Sequence, residues 1–202
     1  MRELAFIGDI HGCLKELDEV VQHALPRTGN LIFLGDYVNR GLHSREVIDY
    51  LINLDQASET TCTFLRGNHD EVFLDCVTTG NIDTILRMGG ATTIASYVRR
   101  PEGDIISQLK ASIPDAHLQF LHNLTSSMET EYVYAAHAPR HGLEHDNETK
   151  KYCIYGHRAQ SSGIPLITET HAIIDTGCGT TDNGRLTCLF WPSLDWVQSK
   201  RR

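Results

Sequence analysis

Six side chains with metal-ligating atoms fall in five short blocks of this 202-residue chain. The blocks are Gly8-Asp9-Ile10-His11-Gly12, Gly35-Asp36-Tyr37-Val38-Asn39-Arg40-Gly41, Gly67-Asn68-His69-Asp70, His137-Ala138-Pro139 and Tyr155-Gly156-His157. Asp9, His11, Asp36, Asn68, His137 and His157 offer oxygen and imidazole donors, a set that suits two divalent cations. Two cations about 3.5–4 Å apart need a bridging oxygen ligand and further donors on each side. A carboxylate is the natural bridge, since it has two oxygens and a charge. A pair of this kind points to phosphoester hydrolysis. Taken singly, each block is weak, because a lone Gly-Asp is usually a turn and a lone His is usually a hydrogen-bonded structural residue. The signal lies in their order and number, since independent turns rarely supply six such donors at successive strand ends.

These donors need strands and helices to hold them. Glu3 to Ile7, Leu31 to Leu34 and Cys62 to Leu65 read as strands, each running into one of the first three blocks. Helices follow. Leu14, Leu17, Val20, Val21 and Leu25 recur at helical spacing up to Pro26. Ser44 is placed to N-cap a helix carrying Val47, Ile48, Leu51 and Ile52, and a third helix begins near Glu71. This β-α alternation predicts parallel pairing, with ligands at strand C-termini and helix N-termini facing the phosphate. Asn81 to Leu124 is helical in pattern, broken at Gly89-Gly90, Pro101 and Pro114. Glu131 to Ala136, Lys151 to Tyr155, Ala172 to Ile174 and Leu186 to Phe190 are strand-like and predict a second, mixed or antiparallel sheet packed on the first. The expected fold is therefore α/β, with residues 1–202 forming one domain.

Composition narrows the partners. The net charge is −8, and the only basic cluster is Lys200-Arg201-Arg202, which argues against nucleic acid as a partner. Six cysteines occur with no CxxC pair, which predicts buried free thiols in a reducing compartment. No apolar run approaches membrane-spanning length, so a membrane partner is not expected and a cytoplasmic location is.

With the blocks in view, the chain resembles the PPP-type metallophosphoesterases, which include bacterial-type protein serine/threonine phosphatases and symmetrical dinucleoside tetraphosphate hydrolases. The resemblance runs from Phe6 to about Leu189 and includes Arg66 and the Ile174-Asp175-Thr176-Gly177 to Leu186-Thr187 ending. It implies the calcineurin-like sandwich of two packed mixed β-sheets flanked by helices. It also implies roles for the residues. Asp9, His11 and Asp36 would hold one metal, and Asp36, Asn68, His137 and His157 the other. Mn²⁺ is expected first, with Fe, Zn or Ni as alternatives. A metal-bridging hydroxide would attack directly, without a phospho-enzyme. Arg40 and Asn68 would contact the phosphate and His69 would protonate the leaving oxygen. Asp70 and Glu71 read as helix-start residues, Asp175 and Cys178 as structural turn residues, and His141 and His145 as loop residues.

Two departures from the family pattern stand out. The second block usually ends Asp-Arg-Gly but here reads Asn39-Arg40-Gly41, so His69 loses a carboxylate partner. An asparagine oxygen can still accept the His69 N–H, but support for the imidazolium is lost. His137 and His157 are also only 20 positions apart, a short connection that predicts an open site. It lacks the usual second phosphate-binding arginine, for which Arg140 or Arg158 is a replacement. The leading expectation is a phosphomonoesterase acting on phosphoserine, phosphothreonine and phosphotyrosine in proteins, or on small phosphoesters. A dinucleoside tetraphosphate hydrolase is the rival. A weakened module that binds phosphorylated ligands is the alternative of another class.

Overall fold

The computed structural model describes residues 3–139 and 150–200. The first sheet contains β1 (Leu4–Ile7), β2 (Asn30–Phe33) and β3 (Thr61–Phe64), paired in parallel as the β-α alternation requires. The crossovers are α1 (Leu14–Ala24) and α2 (Ser44–Asp55). Leu17, Val20, Val21 and Ala24 of α1, at three- and four-residue spacing, face the sheet and are buried. After β3 come α3 (Asn68–Thr79), α4 (Asp83–Arg87), α5 (Ala91–Tyr97), α6 (Ile105–Ser112) and α7 (Asp115–Asn123).

The second sheet is built from β4 (Ser127–Glu129), β5 (Val133–Ala136), β6 (Tyr152–Tyr155), β7 (Leu166–Ile167) and β8 (His171–Ile173), in the order β4-β5-β6-β8-β7. It is mixed. β5, β6 and β8 run parallel, with antiparallel β4 and β7 at the edges. The last two strands, β9 (Thr187–Trp191) and β10 (Trp196–Gln198), return to the first sheet, giving β10-β9-β1-β2-β3. Two apolar layers result. Phe6, Ile32, Leu34 and Leu65 meet Val133, Ala135, Ile154 and Ile174 between the sheets, while the other face of the first sheet is packed by helices. The architecture is the expected pair of mixed sheets flanked by helices.

Several boundaries differ from the sequence reading. The run Leu186 to Phe190, expected in the second sheet, lies as β9 antiparallel to β1 in the first, because a continuously buried run does not say which sheet a strand joins. The third helix begins at Asn68, with Gly67 as its N-cap, and not near Glu71. Ser44 is the first residue of α2, with His43 at the cap position, and its hydroxyl turns inward to Thr93. Asp70 stands in the first turn of α3, as expected, and it also reaches beyond its own helix. Its buried carboxylate accepts the backbone N–H groups of Asp36, Tyr37 and Gly67 at 2.8, 2.9 and 2.9 Å. That clamp joins the turn after β2 to the turn after β3.

Candidate metal centre

The five blocks meet at the C-terminal ends of parallel strands from both sheets. Asp9 and His11 follow β1, Asp36 to Arg40 follow β2, and Asn68 and His69 open α3. His137 follows β5 and His157 follows β6. Such turns need unusual backbone. Among the described residues, seven non-glycine residues have positive φ, and five of them are His11, Asp36, Asn39, Arg40 and His157. Strain is thus concentrated at the site. Close approach adds a second constraint. A Cβ on Gly67 would lie 2.1 Å from Asp36 Oδ1, and one on Gly156 would lie 2.2 Å from Asp9 Oδ1.

Asp36 is the centre of the arrangement. Its Oδ1 accepts the His69 backbone N–H at 2.9 Å, which fixes the carboxylate to the N-terminus of α3. Its Oδ2 lies 3.4 Å from His137 Nε2, 3.7 Å from His11 Nε2 and 3.9 Å from His69 Nε2. Two groupings of ligand atoms share it: His11, Asp36 and His69, and Asp36, His137 and His157, the atoms of each lying within 4.8 Å of one another.

Backbone carbonyls orient the imidazoles. His11 Nδ1 faces Val38 O at 3.1 Å and His137 Nδ1 faces Leu34 O at 2.9 Å. Each carbonyl takes the ring N–H and leaves the Nε2 lone pair facing the site. Asn68 Oδ1 sits 3.0 Å from His137 Nε2 and 2.9 Å from His157 Nδ1. An oxygen lone pair and an imidazole lone pair aimed at one spot suit a cation, so the residues present fit a divalent metal. Asp9 is buried beside them but lies outside both groupings. Its two oxygens accept the His157 backbone N–H at 3.1 and 3.2 Å, tying the turn after β1 to the turn after β6.

The electrostatics agree with ligand chemistry. Burial lowers His11 to about 4, so its imidazole is neutral near pH 7. Burial, and then the Asp175 and Asp36 charges, raise the Asp9 carboxyl. Burial also pushes the Asp36 carboxyl up, but His137, His11 and His69 together pull it further down. Burial and then the Asp36 charge push Asp70 up to about 8. So much carboxylate in one buried place is favourable chiefly when positive charge joins it.

His69, Arg40 and Asn39 lie together beside the first grouping, with Asn39 fully buried behind His69. Asn39 Nδ2 is 2.9 Å from His69 Nδ1, while Asn39 Oδ1 accepts from Thr93 Oγ1 at 3.0 Å. The sequence reading had the asparagine oxygen accepting from His69; the amide is turned the other way. Burial lowers His69, against the nearby Asp36 charge. Arg40 Nη2 is 3.3 Å from His69 Nε2, and its Nη1 bonds Thr180 Oγ1. Arg158 is exposed beside His157 and acts on its charge. Arg140, His141 and His145 lie outside the described residues. Asp175 is buried and accepts the Gly177 N–H at 2.9 Å, in a turn as expected. Thr93 and Thr180 carry no signal in the sequence, where nothing distinguishes them from ordinary helix and turn residues, and Ser44 reads there only as a helix cap.

Residues 3–198 match the family described as calcineurin-like phosphoesterase, nearly the whole chain, and the protein belongs to that family. Within this class, it is 38% identical over 92 residues to serine/threonine-protein phosphatase PP1-1 of Saccharomyces cerevisiae. That match covers 45% of this chain and 29% of the yeast protein, so the chain spans under a third of this relative's length. Two solved structures share the fold. A protein provisionally described as a diadenosine tetraphosphatase superposes with a TM-score of 0.68 at 18% identity, covering 99% of this chain and 94% of that one. A cold-active protein-tyrosine phosphatase of a psychrophilic Shewanella superposes at 0.63 and 12% identity, covering 99% and 81%.

Proposed function

We propose that this protein is a two-metal phosphomonoesterase that removes phosphate from phosphoserine and phosphothreonine in proteins and also accepts phosphotyrosine. The observation that carries the reading is the Asp36 carboxylate shared by two groupings of ligand atoms, with His69 in the first of them and Arg40 beside it. Asp9, His11 and Asp36 would hold one cation, and Asp36, Asn68, His137 and His157 the other, with Mn²⁺ as the first choice. Because the centre draws ligands from both sheets, the two sheets are read as one domain. Six free cysteines among the described residues support a cytoplasmic site of action.

Bound there, the cations supply an activated water and offset the charge of the phosphoryl oxygens. The remaining work falls to the chain. Arg40 Nη2 donates to His69 Nε2 at 3.3 Å; a phosphate oxygen bound here would take that N–H instead and leave Nε2 free to carry a proton. Arg40 holds the phosphate, and Asn68 offers it a further polar contact. His69 gives the Nε2 proton to the departing oxygen, while Asn39 holds the opposite ring nitrogen.

The dinucleoside tetraphosphate hydrolase reading keeps one support, the structural neighbour of nearly equal length. Metal-loaded protein assayed on a phosphopeptide and on diadenosine tetraphosphate separates the two. Free phosphate from the peptide, at far higher kcat/KM, is the expected result. Two nucleoside diphosphates released faster from the dinucleotide would favour the rival. Failure on p-nitrophenyl phosphate as well would leave a phospho-ligand binding module.

A further inference from the structure

Asn39, Thr93 and Ser44 are fully buried at the back of His69, and their hydrogen bonds can be accounted for proton by proton. Thr93 Oγ1 has three neighbours: the Asn39 backbone N–H at 2.8 Å, Ser44 Oγ at 2.9 Å and Asn39 Oδ1 at 3.0 Å. A hydroxyl has one proton and two acceptor sites. The backbone N–H takes one acceptor site. Ser44 Oγ has no other hydrogen-bond partner among the described residues, so its proton goes to Thr93 and takes the second. The Thr93 proton is then left for Asn39 Oδ1, an atom that only accepts. With its oxygen held, the Asn39 amide must offer Nδ2–H to His69 Nδ1, and a ring nitrogen that accepts carries no proton.

We infer that the Thr93 hydroxyl is a positioning residue for proton delivery: by fixing the Asn39 amide it holds His69 in the tautomer with its proton on Nε2, the nitrogen facing the site. A carboxylate at position 39 would need no such orientation, since both of its oxygens accept. An amide has two unlike ends, and Thr93 decides which one faces His69. The inference rests on the reading of His69 as the general acid.

The test compares rates across phosphate esters of graded leaving-group pKa, from p-nitrophenyl to alkyl phosphates. Thr93→Val removes the hydroxyl at nearly constant volume and frees the amide to rotate. The expected result is a loss of about 10- to 100-fold on alkyl phosphates, part of the 10²–10⁴-fold range of general acid catalysis, and little loss on p-nitrophenyl phosphate. Thr93→Ser should keep the wild-type profile. Equal losses on all esters, or a Thr93→Ser profile like that of Thr93→Val, would overturn the inference, because a general structural defect lowers every rate alike. Nitrogen-15 NMR of imidazole-labelled wild-type protein, loaded with diamagnetic Zn²⁺, gives a readout that needs neither variant nor turnover. His69 Nδ1 must appear as the unprotonated nitrogen, and a protonated Nδ1 overturns the inference. Absence of all phosphatase activity in the loaded wild type would instead defeat the general-acid reading, leaving the tautomer to be decided by NMR.

Discussion

The turns that end the first sheet and those that end the second both contribute candidate ligands, but they are held in different ways. On the first side, Asp36, Asn68 and His69 sit where helices begin and are cross-braced from within. Asp70 ties three backbone N–H groups, Asp36 caps α3, and Thr93 fixes Asn39. On the second side, the Gly156 backbone N–H bonds His137 O at 3.1 Å, but the groups that orient the two imidazole-bearing residues come from elsewhere. His137 is oriented by Leu34 O and His157 by the Asp9 carboxylate, both groups belonging to the first side. The lesson is one of dependence. The first set of turns is organised by its own side chains, and the second is organised by docking on the first.

Changes on the first side should therefore do the most damage. Asp36→Asn removes the ligand common to both groupings, and we expect kcat/KM on p-nitrophenyl phosphate to fall by about 10³-fold or more with loss of bound metal. Retention of two equivalents of metal per chain would contradict the central place given to Asp36. Next in size is Asn39→Asp. It gives His69 a carboxylate partner, so alkyl phosphates should gain about tenfold and aryl phosphates little. Equal gains on both would mean that proton donation is not what position 39 controls.

The pH dependence of stability isolates the acidic first side. The folded-state carboxyls of Asp70, pushed up to about 8 by burial and Asp36, and of Asp9, also raised chiefly by burial, keep protons that the unfolded chain has lost above its ordinary 3.8. Metal-free protein should therefore lose stability as pH rises. His11, lowered by burial to about 4, works in the opposite sense, but only as pH falls below 6.5. From pH 6.5 to 8 the carboxyls prevail. Thermal melts with EDTA should show Tm falling across that window, and Mn²⁺ should raise Tm more at pH 8 than at 6.5. A Tm that rises with pH in EDTA would show that the carboxyls are already ionised. The smallest effect belongs to exposed Arg158 on the second side. Arg158→Ala should change KM for a phosphopeptide by about threefold or less, well under the loss of a buried charged hydrogen bond. A larger effect would make Arg158 the replacement for the missing second arginine.

What the sequence showed, and what it hid, follows the same division. The Gly-Asp and Gly-Asn-His blocks were legible because local chemistry demands them: glycine where backbones nearly touch, ligands where strands end. The parallel β1-β2-β3 core followed from alternation of short strands with amphipathic helices. The place of β9 was hidden, since its burial pattern fits either sheet and its pairing with β1 spans almost the whole chain. Asp70 was placed correctly at a helix start, but its bonds to the Asp36 and Tyr37 N–H groups were hidden because those partners lie more than thirty residues away. Thr93, and the bond that Ser44 makes to it, were invisible for the same reason. The orientation of the Asn39 amide depends on a hydroxyl 54 positions further on, and no spacing rule encodes it.

The left-handed backbone at His11, Asp36, Asn39, Arg40 and His157 has a consequence for how the protein can change. Each such residue forgoes roughly 1–2 kcal/mol that glycine would not. Selection for heat resistance alone would thus favour glycine at five of the positions where the proposed chemistry needs a side chain. Durability and turnover pull against each other at the same codons, so a hardier descendant must find its improvements elsewhere, as at Lys150 or Leu194, which share that backbone without sharing the task.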